Sequence, residues 1–421
     1  MKRIGNLFGA VIERDNLLLA FLKASRGKRV RDDQRRFASN LDVELAKLRD
    51  GLLSGEYPIG DFRRFTIYDP KEREICAAAF GERVLHHALM NVCKPYFEKW
   101  LIFDSYACRA GKGQVAAVKR ARHFAHRYEW FMKCDFRKYF DSIPHDKLKA
   151  ALLHKFKDKA ILGWFFRIID SYEKTSQRGL PMGSLTSQHF ANLYLDKLDR
   201  FWAQRCRGGC VRYMDDFVVW SDDKQFLLSL RDEMVEFVHN ELDLVLKQEP
   251  FINRTRHGMD FLGMRVFPNA VRLGRASRLR YRRKMVACDA AFARGEWGDQ
   301  EYQNRITALT AFTQHADARA WRRKVLAVCE EHRAIIVSCA AAAGTTTRVT
   351  AAPRTATGTS PATATGTTAS AFVAPQHRRT IRAVPADGQF VPHGTTNDDR
   401  CVGASSFGES SDASCFKEPW K

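Results

Sequence analysis

The chain has 421 residues, a formal net charge of +21 and a pI near 9.7. That length allows two or three domains with an ample core, and the basic balance favours a polyphosphate partner, nucleic acid first. No apolar run reaches the length of a membrane span and the N-terminus lacks an apolar signal core, so a cytoplasmic protein away from membranes is expected.

Residues 1–60 read as helical, with Leu17, Leu18, Leu19, Phe21, Leu22, then Leu41, Val43, Leu45, Leu48 and Leu52 at helical spacing; Gly55 and Pro58 end the stretch. Residues 62–68 read as a strand, and 72–100 as a helix after the turn Asp69-Pro70-Lys71. The apolar run 130–136 ends in an acid and reads as a strand. Residues 145–173 read as helical, 179–183 as a Gly/Pro loop and 185–206 as a helix. An acidic hairpin spans 210–220, a helix 223–242, a strand pair 259–267 and a basic helical region 279–333. Strands and helices interleave without a regular βαβ repeat, so the expected class is α+β. From about Cys339 the composition turns to Ala, Thr, Gly, Pro and Arg; such a segment buries too little to offset its ordering entropy, and a disordered tail to Lys421 is expected.

The charge is clustered. One group is Arg26-Gly27-Lys28-Arg29 with Arg31, Arg35 and Arg36; another is Arg272, Arg275, Arg278, Arg280, Arg282, Arg283 and Lys284 around Tyr281. Cations with an interleaved aromatic suit phosphate contact and stacking. Of the eleven cysteines only Cys206 and Cys210 lie close, with no His or Cys pair to complete a zinc site, so reduced thiols are expected.

The most informative residues are Tyr213-Met214-Asp215-Asp216, flanked by Val211 and by Phe217-Val218-Val219-Trp220. Two adjacent carboxylates between apolar strands are costly unless a cation neutralises them. Nucleotidyl transfer needs two Mg²⁺ ions clamping the attacking 3′-oxygen and the leaving pyrophosphate, held by hard oxygen ligands. Asp135, closing the 130–136 strand, supplies a third carboxylate, and Phe140 five residues on is an aromatic that either walls off a ribose 2′-hydroxyl or packs in the core.

The order of motifs resembles that of reverse transcriptases. A strand ending in Asp135 is followed by Gly-Leu-Pro-Met-Gly-Ser-Leu-Thr-Ser-Gln (179–188), Tyr-Met-Asp-Asp and Phe261-Leu262-Gly263. Upstream, 68–73 and 104–113 resemble finger motifs of prokaryotic members, and the similarity runs to about residue 335. The resemblance implies a right-hand polymerase fold: an N-terminal helical region and fingers over 1–130, an antiparallel palm backed by helices over 131–270 (finger–palm junction 145–180), a helical thumb over 271–335, and the tail 336–421. It implies Asp135, Asp215 and Asp216 as catalytic metal ligands for two Mg²⁺, with the Phe136 carbonyl as a further ligand. Nucleotide contacts would come from Arg63 (or Arg64), Lys71, Arg73, Phe140 as sugar gate, Met182, Gly183, Gln188 and Lys247 near the pyrophosphate. Phe261, Leu262 and Gly263 resemble a primer grip, and Arg278, Arg280, Arg282 and Arg283 would hold template–primer.

The 179–188 loop departs from most of the family, which carries Gln-Gly and Ser-Pro where this chain has Met182-Gly183 and Ser187-Gln188. That departure resembles the reverse transcriptases of diversity-generating retroelements, which carry an aliphatic residue and Ser-Gln there. This implies an error-prone enzyme of a bacterial or phage system that misincorporates opposite template adenines, with template RNA, a cDNA or DNA primer, dNTPs and a small basic accessory variability protein as partners. A faithful group II intron-like or antiviral reverse transcriptase is the first alternative, and a non-catalytic RNA-binding scaffold the second. The sequence shows no His-Asn-His cluster and no second acidic constellation for RNase H, which favours the retroelement reading. The tail adds to it. Shifting the frame back one base turns ACN codons into NAC, so 341–347 and 352–357 permit Asn-rich strings such as Gly-Gly-Ser-Trp-Asn-Asn-Asn. The tail is therefore expected to be template-repeat DNA read out of frame.

Overall fold

The computed structural model describes residues 2–27, 31–68, 71–205 and 208–328. The expected disordered tail, Lys28 and Arg29 of the first basic cluster, the turn Asp69-Pro70 and Cys206 lie outside the described residues. The fold mixes helices with antiparallel sheets, and the class read from the sequence holds.

The first 54 residues fold into helices Phe8–Ile12, Arg14–Ser25, Asp32–Ser39 and Leu41–Ser54. They bury Leu17, Ala20, Leu45, Leu48 and Leu52 against helix Phe80–Trp100, whose Val84, Leu85, Ala88, Leu89, Cys93 and Phe97 recur every three or four residues. Between them a hairpin pairs β1 (Phe62–Ile67) with β2 (Arg73–Ala78) residue by residue, Phe62 opposite Ala78 and Ile67 opposite Arg73. The helix expected over 72–100 is corrected here: its first two turns are not helix, and Arg73–Ala78 is strand. Arg73–Ala78 gains a ladder to β1, and the Cys76 N–H donates to the Met182 carbonyl (2.8 Å), so the helix starts only at Phe80.

The central sheet has order β4-β5-β3-β6, with β3 Trp130–Cys134, β4 Gly209–Tyr213, β5 Asp216–Ser221 and β6 Phe251–Arg254. All its pairings are antiparallel. Alternation along the strands splits it into two faces. Met132, Cys134, Phe217 and Val219 enter the main core, while Phe131, Val211, Val218 and Trp220 enter a second core under helix Gln114–Arg127. That helix, and β6, were not foreseen.

The long helix expected over 145–173 is two, His145–Lys155 and Lys159–Asp170. Asp158 separates them, because its carboxylate caps the second (from Ile161 N–H, 3.3 Å) and binds the Leu7 and Phe8 N–H groups (2.7 and 3.2 Å). Helices Leu185–Tyr194, Asp196–Arg205 and Lys224–Asn240 back the sheet. A third sheet joins β7 (Met259–Phe261), β8 (Met264–Val266) and β9 (Val271–Leu273), one strand more than the expected pair. Helices Arg275–Ala293 and Asp299–Thr313 follow, then a helix over 319–328.

Candidate active site

The acidic turn is built by β4 and β5. Tyr213 pairs with Asp216, leaving Met214 and Asp215 as a two-residue connection, and Met214 takes φ +57°, a conformation costly for a side chain this size. Arg212 offsets part of that cost. It is fully buried, donates to the Met214 carbonyl (3.1 Å), to Asn192 Oδ1 and O (3.0 and 3.3 Å), and forks onto Asp199 (2.7 and 2.6 Å). Neither member of this ion pair has any exposed side-chain area. The Arg212 backbone also pairs with the 104–106 segment (N–H to Asp104 O and O from Tyr106 N–H, both 2.9 Å), so the β4 edge is covered.

β3 lies beside β5 with Cys134 opposite Phe217, which brings Asp135, one residue past the strand, opposite Asp216 on the same sheet face as Lys133. Each acid meets a lysine: Lys133 Nζ stands 3.0 Å from Asp216 Oδ1, and Lys247 Nζ 3.0 Å from Asp135 Oδ2. Residues 245–247 pair with 135–137, the Lys247 N–H donating to Asp135 O (2.9 Å) and the Arg137 N–H to Val245 O (2.9 Å), which fixes Lys247 beside the acid. Burial pushes the Asp215 carboxyl up to about 6; the negative charges of Asp135 and Asp216 add to this, and its own backbone N–H and the Arg73 charge oppose it. Burial also raises Asp216, against the pull of Lys133 and of the Leu262 N–H.

Among the described residues no three His, Cys, Asp or Glu side chains close as a cage around one metal ion. Asp135 and Asp216 nevertheless offer hard oxygens on one face, and Asp216 Oδ1 is buried without a well-directed hydrogen bond, since Lys133 approaches at short distance but poor angle. That donor set fits a hard divalent cation sharing its shell with phosphate oxygens.

The other expected residues divide. The hairpin exposes Arg63, Lys71 and Arg73, and the Arg73 charge reaches Asp215. Arg63 lies over the Phe65 ring, while Arg64 pairs with Glu74 (3.8 Å). Gly183 is exposed at φ +106°, and a Cβ there would meet Ile75 Cγ2 at 3.0 Å and the Cys76 carbonyl at 3.3 Å; only glycine lets this loop lie against β2. Met182 and Phe140 are half-buried, and the Phe140 carbonyl accepts the Leu180 N–H (2.8 Å). Gln188 is buried, its amide oxygen 3.1 Å from Cys108 Sγ, so its side chain anchors the 104–113 loop. The Phe136 ring packs in the core against Tyr139. Phe261 is buried, and Leu262-Gly263, both at positive φ, form the tight β7–β8 turn. Lys133 also donates to the Asp260 carbonyl (2.7 Å), so one ammonium joins Asp216 to β7. On helix Arg275–Ala293, Arg278, Arg282 and Arg283 are exposed, whereas Arg280 bends back toward Ser277 (3.3 Å).

Lys133, Arg212, Asp199 and Asn192 were missed by the sequence reading. Lys133 had a signal, since period two places it on the face of Asp135; so had Arg212, a charge in an otherwise apolar strand.

Residues 69–266 match the family model of reverse transcriptase (RNA-dependent DNA polymerase). This stretch, just under half of the chain, is similar to reverse transcriptase domains. The chain's curated relatives include intron-encoded proteins. The chain is similar to protein YkfC of Escherichia coli K12 (25% identity, covering 56% of this chain and 74% of YkfC). It is also similar to the group II intron-encoded protein LtrA of Lactococcus lactis subsp. cremoris (24% identity, 39% of this chain and 29% of LtrA). It spans a quarter or less of the length of the yeast intron proteins that it also matches. Among solved structures, apo telomerase from Candida tropicalis aligns with a TM-score of 0.41 at 11% identity, over 63% of this chain and 66% of that one. Among the described residues no helix is long and apolar enough to cross a membrane.

Proposed function

We propose that the chain copies an RNA template into cDNA with errors concentrated at template adenines, and that this mutagenic copying diversifies a target gene. The observation that carries the reading is Met182. Its backbone is anchored to β2 through the Cys76 N–H, and its side chain, beside Gly183, has no hydrogen-bonding group where most of the family has an amide. Base choice then rests on shape, which discriminates less than a satisfied polar contact.

In this reading residues 1–130 are N-terminal helices and fingers, 131–270 palm and 271–335 thumb of a right-hand polymerase. Asp135, Asp215 and Asp216, with the Phe136 carbonyl, would hold two Mg²⁺ ions, whose charge would offset that of the reacting phosphate and the leaving pyrophosphate. Asp215 must lose its proton to serve, and the nearby Arg73 charge favours that form. Lys133 and Lys247 balance the acids in the metal-free chain; Lys247 then faces the pyrophosphate. Arg63, Lys71 and Arg73 meet the triphosphate, Phe140 excludes a 2′-hydroxyl, and Gln188 acts by holding the 104–113 loop. Phe261, Leu262 and Gly263 seat the primer end, and Arg278, Arg280, Arg282 and Arg283 line the duplex. Template RNA, primer, dNTPs and a small basic accessory protein are the partners, in a cytoplasmic setting.

A second reading, a faithful intron-type enzyme, is favoured by the similarity to intron-encoded proteins. Sequencing cDNA made from one defined RNA by the wild type and by Met182→Gln separates the two. The proposal expects wild-type errors clustered at template adenines and a several-fold drop in Met182→Gln; a low, evenly spread error rate in the wild type supports the second reading.

A further inference from the structure

Behind the 179–188 loop lies a buried polar chain that the site above does not use. Ser184 Oγ stands 3.2 Å from His86 Nδ1 and 3.0 Å from Thr186 Oγ1. His86 Nε2 faces Glu82 Oε1 at 3.5 Å, and the other Glu82 oxygen accepts the Gly60 N–H at 2.9 Å. Glu82, His86 and Ser184 are each 2–3% exposed. Among the described residues neither Glu82 Oε1 nor His86 Nε2 has a hydrogen-bond partner; buried, they face each other across 3.5 Å.

The protonation states follow from burial. It pushes the Glu82 carboxyl up to about 7, with Asp61 adding and the Gly60 N–H opposing, and pushes His86 down to about 3, with His87 adding. Tyr57 is a further titratable neighbour of Glu82. With Glu82 protonated, its hydroxyl and His86 Nε2 are complementary across the 3.5 Å gap, which leaves the His86 Nδ1–H to donate to Ser184 Oγ and the Ser184 hydroxyl to donate to Thr186.

The relay joins three parts of the molecule. Gly60 leads into β1, Glu82 and His86 belong to helix Phe80–Trp100, and Ser184 follows the exposed Gly183. On the other flank of Gly183 the Met182 carbonyl is fixed to β2 by Cys76 (2.8 Å). Gly183 is thus pinned from both sides, to the hairpin that carries Arg63, Lys71 and Arg73 and to the helix behind it. We propose that Glu82, His86 and Ser184 are positioning residues that fix the Gly183 backbone against the β1–β2 hairpin and thereby set nucleotide affinity and the strictness of base choice. The proposal rests on the polymerase reading.

Single-nucleotide incorporation by the full chain, on a defined RNA template annealed to a DNA primer with Mg²⁺, tests it. Ser184→Ala and Glu82→Ala are expected to raise KM for the correct dNTP about tenfold, the worth of one buried hydrogen bond, with kcat within about twofold and an altered ratio of wrong to right insertions. Glu82→Gln keeps a donor for His86 and an acceptor for Gly60 and is expected to restore KM. If Glu82→Ala does not fold, Ser184→Ala decides alone. Unchanged KM and insertion ratio in Ser184→Ala, from an active wild type, would overturn the relay alone. A wild type that extends no primer overturns the polymerase reading and the relay with it.

Discussion

Replacing Arg212 by Met separates fold stability from turn geometry. The substitution strands the Asp199 carboxylate, which has no exposed area and, among the described residues, no other cation in bidentate contact, and removes the donor to the Met214 carbonyl. Breaking a buried pair from one side costs about 3–5 kcal/mol, a large part of the stability of a domain. Burial is the largest single influence and works to discharge Arg212, but the Asp199 charge and its hydrogen bonds, with Tyr139 and Asp196, together outweigh it, so the guanidinium is held above its ordinary value. The double variant Asp199→Leu/Arg212→Met removes both charges and is expected to recover most of the lost stability, yet Met214, at φ +57°, still lacks its donor. Urea denaturation and primer extension on an RNA template, run on the wild type, both single variants and the double, complete the cycle. The expected pattern is a stable double variant whose extension stays depressed by tenfold or more. A single variant within about 1 kcal/mol of the wild type, or a double variant with full activity, would refute the reasoning.

Lys133→Met leaves Asp135 and Asp216 facing each other with one counter-ion fewer, so the metal-free chain should melt lower and gain more from added Mg²⁺ than the wild type, which thermal melts with and without the ion will show. Glutamate in an unfolded chain titrates near 4.5 and Glu82 in the fold near 7; between those values the fold keeps a proton that the unfolded chain has released. The stability of the wild type relative to Glu82→Gln should therefore fall as pH rises from 4.5 to 7 and level off above, as urea midpoints across that range will show. Deleting residues 340–421 should leave RNA-templated extension intact, and the DNA encoding residues 339–373, read one base back, should show repeated AAC codons with a near-copy elsewhere differing at adenines. Non-A bases ahead of the Thr codons would return the tail to an ordinary linker.

The parts of the molecule legible in the sequence were those whose pattern is local. The Val211 to Trp220 hairpin and the strand ending at Asp135 announced themselves as apolar runs set against acids, and the structure pairs them as neighbours. Arg73–Ala78 was illegible because its ladder comes from β1 and from the Met182 carbonyl, while its sequence runs without a break into a strong helical pattern. Helix Gln114–Arg127 was passed over because small residues, Ala117 and Ala121, make much of its buried face. The site was legible in its acids and not in what steadies them. Lys133, Arg212 and the Glu82–His86–Ser184 relay act across separations of 83, 13 and 98 residues, which no local pattern encodes.

The strand order β4-β5-β3-β6 also bears on how the chain reaches this state. β3 sits between two strands made much later, so Asp135 leaves the ribosome about eighty residues ahead of Asp216, and β6 follows later still. Until residue 221 has emerged, Phe131 and Met132 have neither neighbour beside them, and until residue 254 has emerged one edge of β3 stays open to any extended segment nearby. Such non-local pairing is slow to form. Synthesis at high concentration or high temperature should therefore lose material through this strand first, and slower translation or bound chaperones should raise the yield of folded enzyme without changing a single contact in it.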